Sequence, residues 1–118
     1  MLRRAIMTID SRTSDGVTIL DLHGKITIEV TAQVRNTIAD LLEAGRRDIL
    51  LNLGDVSFMD SSGIGELVRS YHSVGREGGQ VKLLNLTKKI QELLAITKLL
   101  TIFDCYNDEA EAVASFSS

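Results

Sequence analysis

The run Ile49-Leu50-Leu51-Asn52-Leu53 limits the possible folds more than any other stretch. It is short, nearly continuous in apolar residues and without a clean two-residue alternation, so it reads as a central strand of a sheet. The next stretch, "GDVSFMDSSGIGELVRSYHSVGREGG", leaves a strand between Val56 and Met59 and enters a helix near Ser61 or Ser62. Ile64, Leu67, Val68 and Tyr71 share one helical face, and Glu66, Arg69, Ser70 and Ser73 share the other. Gly78-Gly79 closes the connection, and "QVKLLNL" is a strand again. Strand, helix and returning strand form the unit from which parallel sheets are built.

The same alternation extends in both directions. "RRAIMTIDSRT", with Ile6, gives a short first strand, and "SDG" at 14–16 is a turn signal. In "VTILDLHG", Val17 and Ile19 alternate with Leu20 and Leu22, so both faces carry apolar residues, and Gly24 is expected to end the strand. Val30, Val34, Ile38, Leu41 and Leu42 are at helical spacing, with a start near Thr31 and a stop at Gly45. Ile90, Leu93, Leu94 and Thr97 form a further helical stripe, and "LTIFDCY" a last short strand. Asp108 followed by Glu111 has the spacing of a capping box for a final helix. The expected class is α/β, with order β-β-α-β-α-β-α-β-α: a mixed sheet of about five strands with about four helices, parallel in its later part.

Composition narrows the possible roles. A chain of 118 residues is read as a single domain, 1–118. Aromatic residues are few (three Phe, two Tyr), so the core must be aliphatic. The net charge of −3 and the dispersed pairs Arg3/Arg4, Arg46/Arg47 and Lys88/Lys89 argue against nucleic acid or an anionic membrane as partner. The single cysteine excludes an intramolecular disulfide and fits a reducing cytoplasm; Cys105, inside "TIFDCYN", reads as a small buried hydrophobe. Residues 1–10 hold no apolar leader core, and no uncharged stretch approaches the ~18 residues of a membrane span. The expected location is cytoplasmic.

"MDSSGIG", residues 59–65, carries the functional question. One reading is structural: Asp and Ser are favoured N-caps, and glycine lets a backbone turn tightly. Against it, neither Ser61 nor Ser62 is followed three residues later by Glu or Gln. Gly63 and Gly65 also weaken the first helical turn by roughly 1 kcal/mol each relative to alanine. Catalytic readings fail on their own terms. No glycine precedes either serine by two positions, as a nucleophile elbow needs, and nothing brings His23 or His72 to them as a base. "GIGELV" lacks the third glycine of a dinucleotide fingerprint, and no phosphate loop or metal-ligand spacing is present. The chain is therefore expected to be no enzyme, with no catalytic residue, no cofactor and no metal. A third reading is a hydroxyl that receives phosphate: a helix N-terminus tolerates the charge, and a partner surface would feel it.

From Leu51 to Tyr106 the sequence resembles the STAS-domain anti-sigma factor antagonists of bacteria, and the similarity runs over about residues 16–114. The D-S-[ST]-G-[IL]-G motif at 60–65 is its most specific part. The resemblance implies a phosphorylation-switched binding module in which Ser61 is the phosphoacceptor and Ser62 structural. Unphosphorylated, such a protein binds an anti-sigma factor that is also a GHKL-type serine kinase and frees the sigma factor; a PP2C-type phosphatase restores the hydroxyl. The implied partner-binding residues are Asp60, Ser61, Ser62, Gly63, Ile64, Gly65 and Thr27, with Glu66 and Arg69 on the exposed helix face. Many relatives carry G-[ED]-[LI]-D after the second strand; here Gly24-Lys25-Ile26-Thr27 puts lysine for the acid and threonine for the aspartate. The alternative is a STAS-like scaffold or regulatory domain in a partner-switching pathway that does not control sigma.

Overall fold

A computed structural model describes residues 7–117. The elements are β1 (Met7–Ser14), β2 (Val17–Ile26), α1 (Thr31–Glu43), β3 (Asp48–Met59), α2 (Ser61–Arg76), β4 (Gln80–Leu84), α3 (Lys88–Ile96), β5 (Cys105–Tyr106) and α4 (Glu109–Ser115). This is the expected order. The Ile6 assignment lies outside the described residues.

The sheet runs β1-β2-β3-β4-β5. β1 and β2 form an antiparallel hairpin, and every later pair is parallel. The hairpin turns on Asp15 and Gly16, both at positive φ (48° and 80°), the pairing of a two-residue turn whose twist matches the strands.

Because each successive parallel strand is added on the same side of the last, right-handed crossovers must put α1, α2 and α3 on one face. The packing agrees. Val34 and Ile38 of α1, Leu67 and Val74 of α2, and Ile90 and Leu94 of α3 share one buried cluster with Leu20, Leu22, Leu51, Leu53 and Leu83. The other face is left to α4, whose Ala112 and Val113, with Phe116, cover Val17, Ile19, Leu50 and Leu84. Arg12 on β1 ties α4 to the sheet, with Nε 2.7 Å from Asp21 and Nη1 2.8 Å from Glu109. Its guanidinium holds both carboxyl groups below their usual range.

Two local expectations are corrected. Gly24 does not end β2: it sits inside the strand at φ 116°, beside a register shift against β3, so it marks a bulge. Cys105 is exposed, because β5 is a two-residue strand at the edge of the sheet, with no strand beyond it among the described residues. Its sulfur still rests near the Phe103 carbonyl, and partial burial pushes the thiol pKa up.

Candidate functional site

β2 and β3 are parallel neighbours, so their C-terminal ends meet at one edge of the sheet, where open α/β sheets commonly bind ligands. Asp60 fastens the two loops that leave it. Its backbone N–H donates to the Ile26 carbonyl at 3.2 Å. One carboxylate oxygen accepts from Gly63 N–H at 2.9 Å and the other from Ile28 N–H at 3.2 Å. Asp60 is therefore the N-cap of α2, and at the same time it holds the start of the β2–α1 connection. The helix starts where the sequence pattern puts it; the aspartate supplies the cap and neither serine is needed for it.

That division leaves Ser61 free. It is the first residue of α2 and exposed, with no hydrogen bond from its side chain among the described residues, while Ser62 is half-buried. An exposed hydroxyl on a turn fixed from both sides, at the positive end of a 16-residue helix, is a place where a phosphate adds charge without disturbing the core.

The other expected contact residues divide by direction. Gly65 is exposed, and a Cβ there would meet no atom within 4 Å. Gly63 is buried; a Cβ would lie 2.5 Å from the Ile26 carbonyl oxygen and 2.6 Å from Met59 Cγ. Ile64 is only 9% exposed and belongs to the core. Gly63 and Ile64 therefore pack inward: one lets α2 seat on the end of β2, the other anchors it. Thr27 is half-buried, and its hydroxyl is buried without a hydrogen-bond partner among the described residues. The link from this loop to Asp60 runs through the next residue's backbone.

Glu66 is a further correction. Placed on the exposed face by helical periodicity, it is 3% exposed. Arg35 of α1 donates to Glu66 Oε1 at 2.8 Å, and Arg69 Nε lies 3.7 Å from the same oxygen. Oε2 is buried without a hydrogen-bond partner among the described residues. Pattern alone misses this, because the cation that stabilises the buried carboxylate comes from another helix. Two contributors to the exposed surface also escape the pattern: Ile28, 68% exposed beside Asp60, and Phe58, 38% exposed at the end of β3. Phe58 lies under the Lys89 ammonium of α3, 5.6 Å from its ring centroid, whereas Ile28 stands in water.

Neither histidine serves Ser61. His23 is held between Asp55 (2.6 Å) and Asp10 (3.2 Å), which together raise its pKa, Asp55 contributing most. His72 lies eleven residues further along α2, about 16 Å at 1.5 Å per residue. Among the described residues no cluster of His, Cys, Asp or Glu could hold a metal, and no helix is long and apolar enough to cross a membrane.

Comparison with known proteins places this geometry. The STAS domain family model matches residues 8–112. An anti-sigma-B factor antagonist of Bacillus subtilis is 32% identical over 98 residues, covering 83% of this chain and 89% of that protein. Two solved structures share the fold. One is an anti-sigma factor antagonist of Mycobacterium paratuberculosis (TM-score 0.85, 19% identity, 100% of both chains). The other is the Bacillus cell fate determinant SpoIIAA in its phosphorylated form (TM-score 0.72, 22% identity, 92% of this chain and 98% of that one). The chain belongs to the STAS domain family, and the Bacillus subtilis relative is named as an anti-sigma-B factor antagonist.

Proposed function

We propose that this chain is an anti-sigma factor antagonist, a single cytoplasmic STAS domain over residues 1–118, switched by phosphorylation at Ser61. The observation that carries the reading is the division of labour at the start of α2: Asp60 makes the capping bonds, and the exposed Ser61 hydroxyl is left without a structural task. The Bacillus subtilis relative named as an antagonist supports the partner class, an anti-sigma factor. The unphosphorylated protein binds an anti-sigma factor that is also a GHKL-type serine kinase, and sigma is released. The kinase transfers the γ-phosphoryl group of ATP to Ser61 Oγ, ADP leaves and the hydroxyl proton is given up. The added charge, about −1.5 to −2, then opposes the partner surface. A PP2C-type phosphatase hydrolyses the ester and resets the switch. The contact surface comprises Ser61, the exposed side of Ser62, Gly65 and the neighbouring Ile28 and Phe58, with the loop holding Lys25 and Thr27 at its edge.

Incubation with an anti-sigma kinase and ATP, followed by peptide mass spectrometry, tests the acceptor. Phosphate on Ser61 is the expected result; phosphate only on Ser62 or Thr27 overturns it. Ser61→Ala is expected to retain partner binding and Ser61→Asp to weaken it, with both variants folded. Equal affinity of the two removes the charge switch and favours the scaffold reading.

A further inference from the structure

β2 reaches the Ser61 turn through an irregular stretch. Its pairing with β3 is regular from Thr18 to Asp21 and then slips twice: Asp21 faces Asn52, His23 faces Asp55, and Lys25 faces Phe58. Each slip gives β3 one residue more than β2, as a bulge does. The backbone ladder is therefore interrupted just before the segment that Asp60 fastens, where Ile26 O accepts the Asp60 N–H and Ile28 N–H donates to the Asp60 carboxylate.

One side chain crosses the interruption. By alternation with Asp21 and the buried Ile19, His23 lies on the sheet face that α4 covers further back. Its Nδ1 stands 2.6 Å from Asp55 Oδ2 on β3, and its Nε2 stands 3.2 Å from Asp10 Oδ2 on β1. A single ring thus joins three strands. Neutral imidazole has one N–H, so it could donate to only one of these carboxylates and would turn a lone pair on the other; the imidazolium donates to both. The other charges nearby are already engaged or stand apart. Asp21, on the same strand, is bound by Arg12 and Asn52. Arg12 of β1 is shared with Glu109 of α4. Lys25, the next charge along β2, is exposed beyond the second slip.

We propose that His23 is a pH-operated clasp: as imidazolium it ties β1 and β3 to β2 across the slipped register and steadies the Ile26–Ile28 segment beside the Ser61 turn, and loss of one proton to water leaves Asp10 and Asp55 without a common donor and loosens that segment. The direction of the switch follows from linkage. The carboxylates raise the pKa of the ring, the Asp55 hydrogen bond contributing most. A histidine whose folded pKa lies above its unfolded value of about 6.5 stabilises the fold fully below that value and loses the contribution as pH rises through the folded pKa. The clasp is closed around and below about pH 6.5, while Asp10 and Asp55 stay ionised, and it opens at higher pH. It rests on the bonds between Asp60 and the β2–α1 connection, not on phosphorylation of Ser61.

The test is an imidazole NMR titration of the full chain across the neutral range, with amide protection factors measured over the same range. His23→Gln deletes one of the two imidazole signals and so assigns both. The His23 midpoint is expected above about 6.5, with both ring nitrogens protonated below it. Protection at Ile28 and Asp60 should fall through the same midpoint, while Leu51 and Leu83 hold. Asp55→Asn should lower the midpoint more than Asp10→Asn, following the shorter contact. His23→Gln should abolish the pH step in protection. Thermal melts establish that the variants are folded, and the two exposed aspartate variants keep the test decisive if His23→Gln is not. A His23 midpoint at or below the ordinary value, protection at Ile28 that does not follow it, or a step that persists in folded His23→Gln would overturn the clasp. Ser61→Ala should leave midpoint and step unchanged, so failure of the phosphorylation reading leaves this result standing.

Discussion

Gly63 and Gly65 occupy the same turn of α2, two residues apart, and do opposite things. Gly63 faces inward, where the Ile26 carbonyl and Met59 leave no room for one carbon. Gly65 faces outward, where a carbon would touch nothing. The inner side of the turn seats α2 on the sheet; the outer side, with the Ser61 and Ile28 side chains and Gly65, is exposed. Under the proposed phosphorylation of Ser61, such a turn would change a surface without passing strain to the core. The motif therefore joins two separable requirements, and single substitutions can pull them apart.

The largest effect is expected at Gly63→Ala. Alanine is the better helix former by about 1 kcal/mol, yet its Cβ must displace backbone at the end of β2. Overpacking of this kind costs typically about 1–3 kcal/mol. A net loss of up to about 2 kcal/mol is expected in urea unfolding, and partner binding should fall with it as the turn shifts. A gain in stability would show that α2 is not seated on Ile26.

Next comes Asp60→Ala. It deletes the cap to Gly63 and the bond to Ile28 together, both partly in contact with solvent. N-cap loss alone costs roughly 0.5–2 kcal/mol, and the β2–α1 loop loses its attachment. Faster amide exchange at Ile28 and Gly63, with slower exchange kept at Leu51 and Leu83, is the expected pattern. Unchanged exchange at Ile28 would mean that the loop stands without Asp60.

How much of this is readable from residues depends on what each residue answers to. The element order is legible, because apolar runs of five or so residues and helical stripes report burial directly: Ile49 to Leu53, Val34 with Ile38, and Leu67 behave as their spacing implies. The helix start at 61 is legible as well, since Asp and Ser favour that position. The direction each residue faces is less so. Glu66 is buried because Arg35 on another helix meets it, and no local pattern encodes that. Ser70, placed by periodicity on the same outer face, follows it inward by bonding its own helix at the Glu66 carbonyl. Gly24 and Gly63 look alike in sequence, but one sits at a strand bulge and the other at a helix-to-sheet contact. Cys105 sits in an apolar run, and only the brevity of β5 exposes it. The glutamate, the inner glycine and the cysteine share one cause: each is decided by what lies beside it in space, far away along the chain.

The smallest effect on the fold, and the clearest use of the contrast, is at Gly65. Gly65→Ala changes the same atom as Gly63→Ala, but into open space and with helical backbone already in place. It is expected to stabilise the chain by about 0.5–1 kcal/mol, the helix-propensity difference, with little change in binding. Gly65→Leu retains most of that gain and adds a bulky side chain beside Ser61. If the partner approaches the hydroxyl across bare backbone, the introduced isobutyl group blocks it sterically, so affinity falls while the melting temperature holds or rises. A phosphorylation assay on the same variant separates docking from transfer, since a kinase kept at a distance should also modify Ser61 more slowly. Normal binding by a folded Gly65→Leu protein would move the contact surface off this face of α2, towards Ile28 and Phe58 alone. A destabilised Gly65→Ala protein would undo the contrast itself, because the outer glycine would then be serving the fold after all.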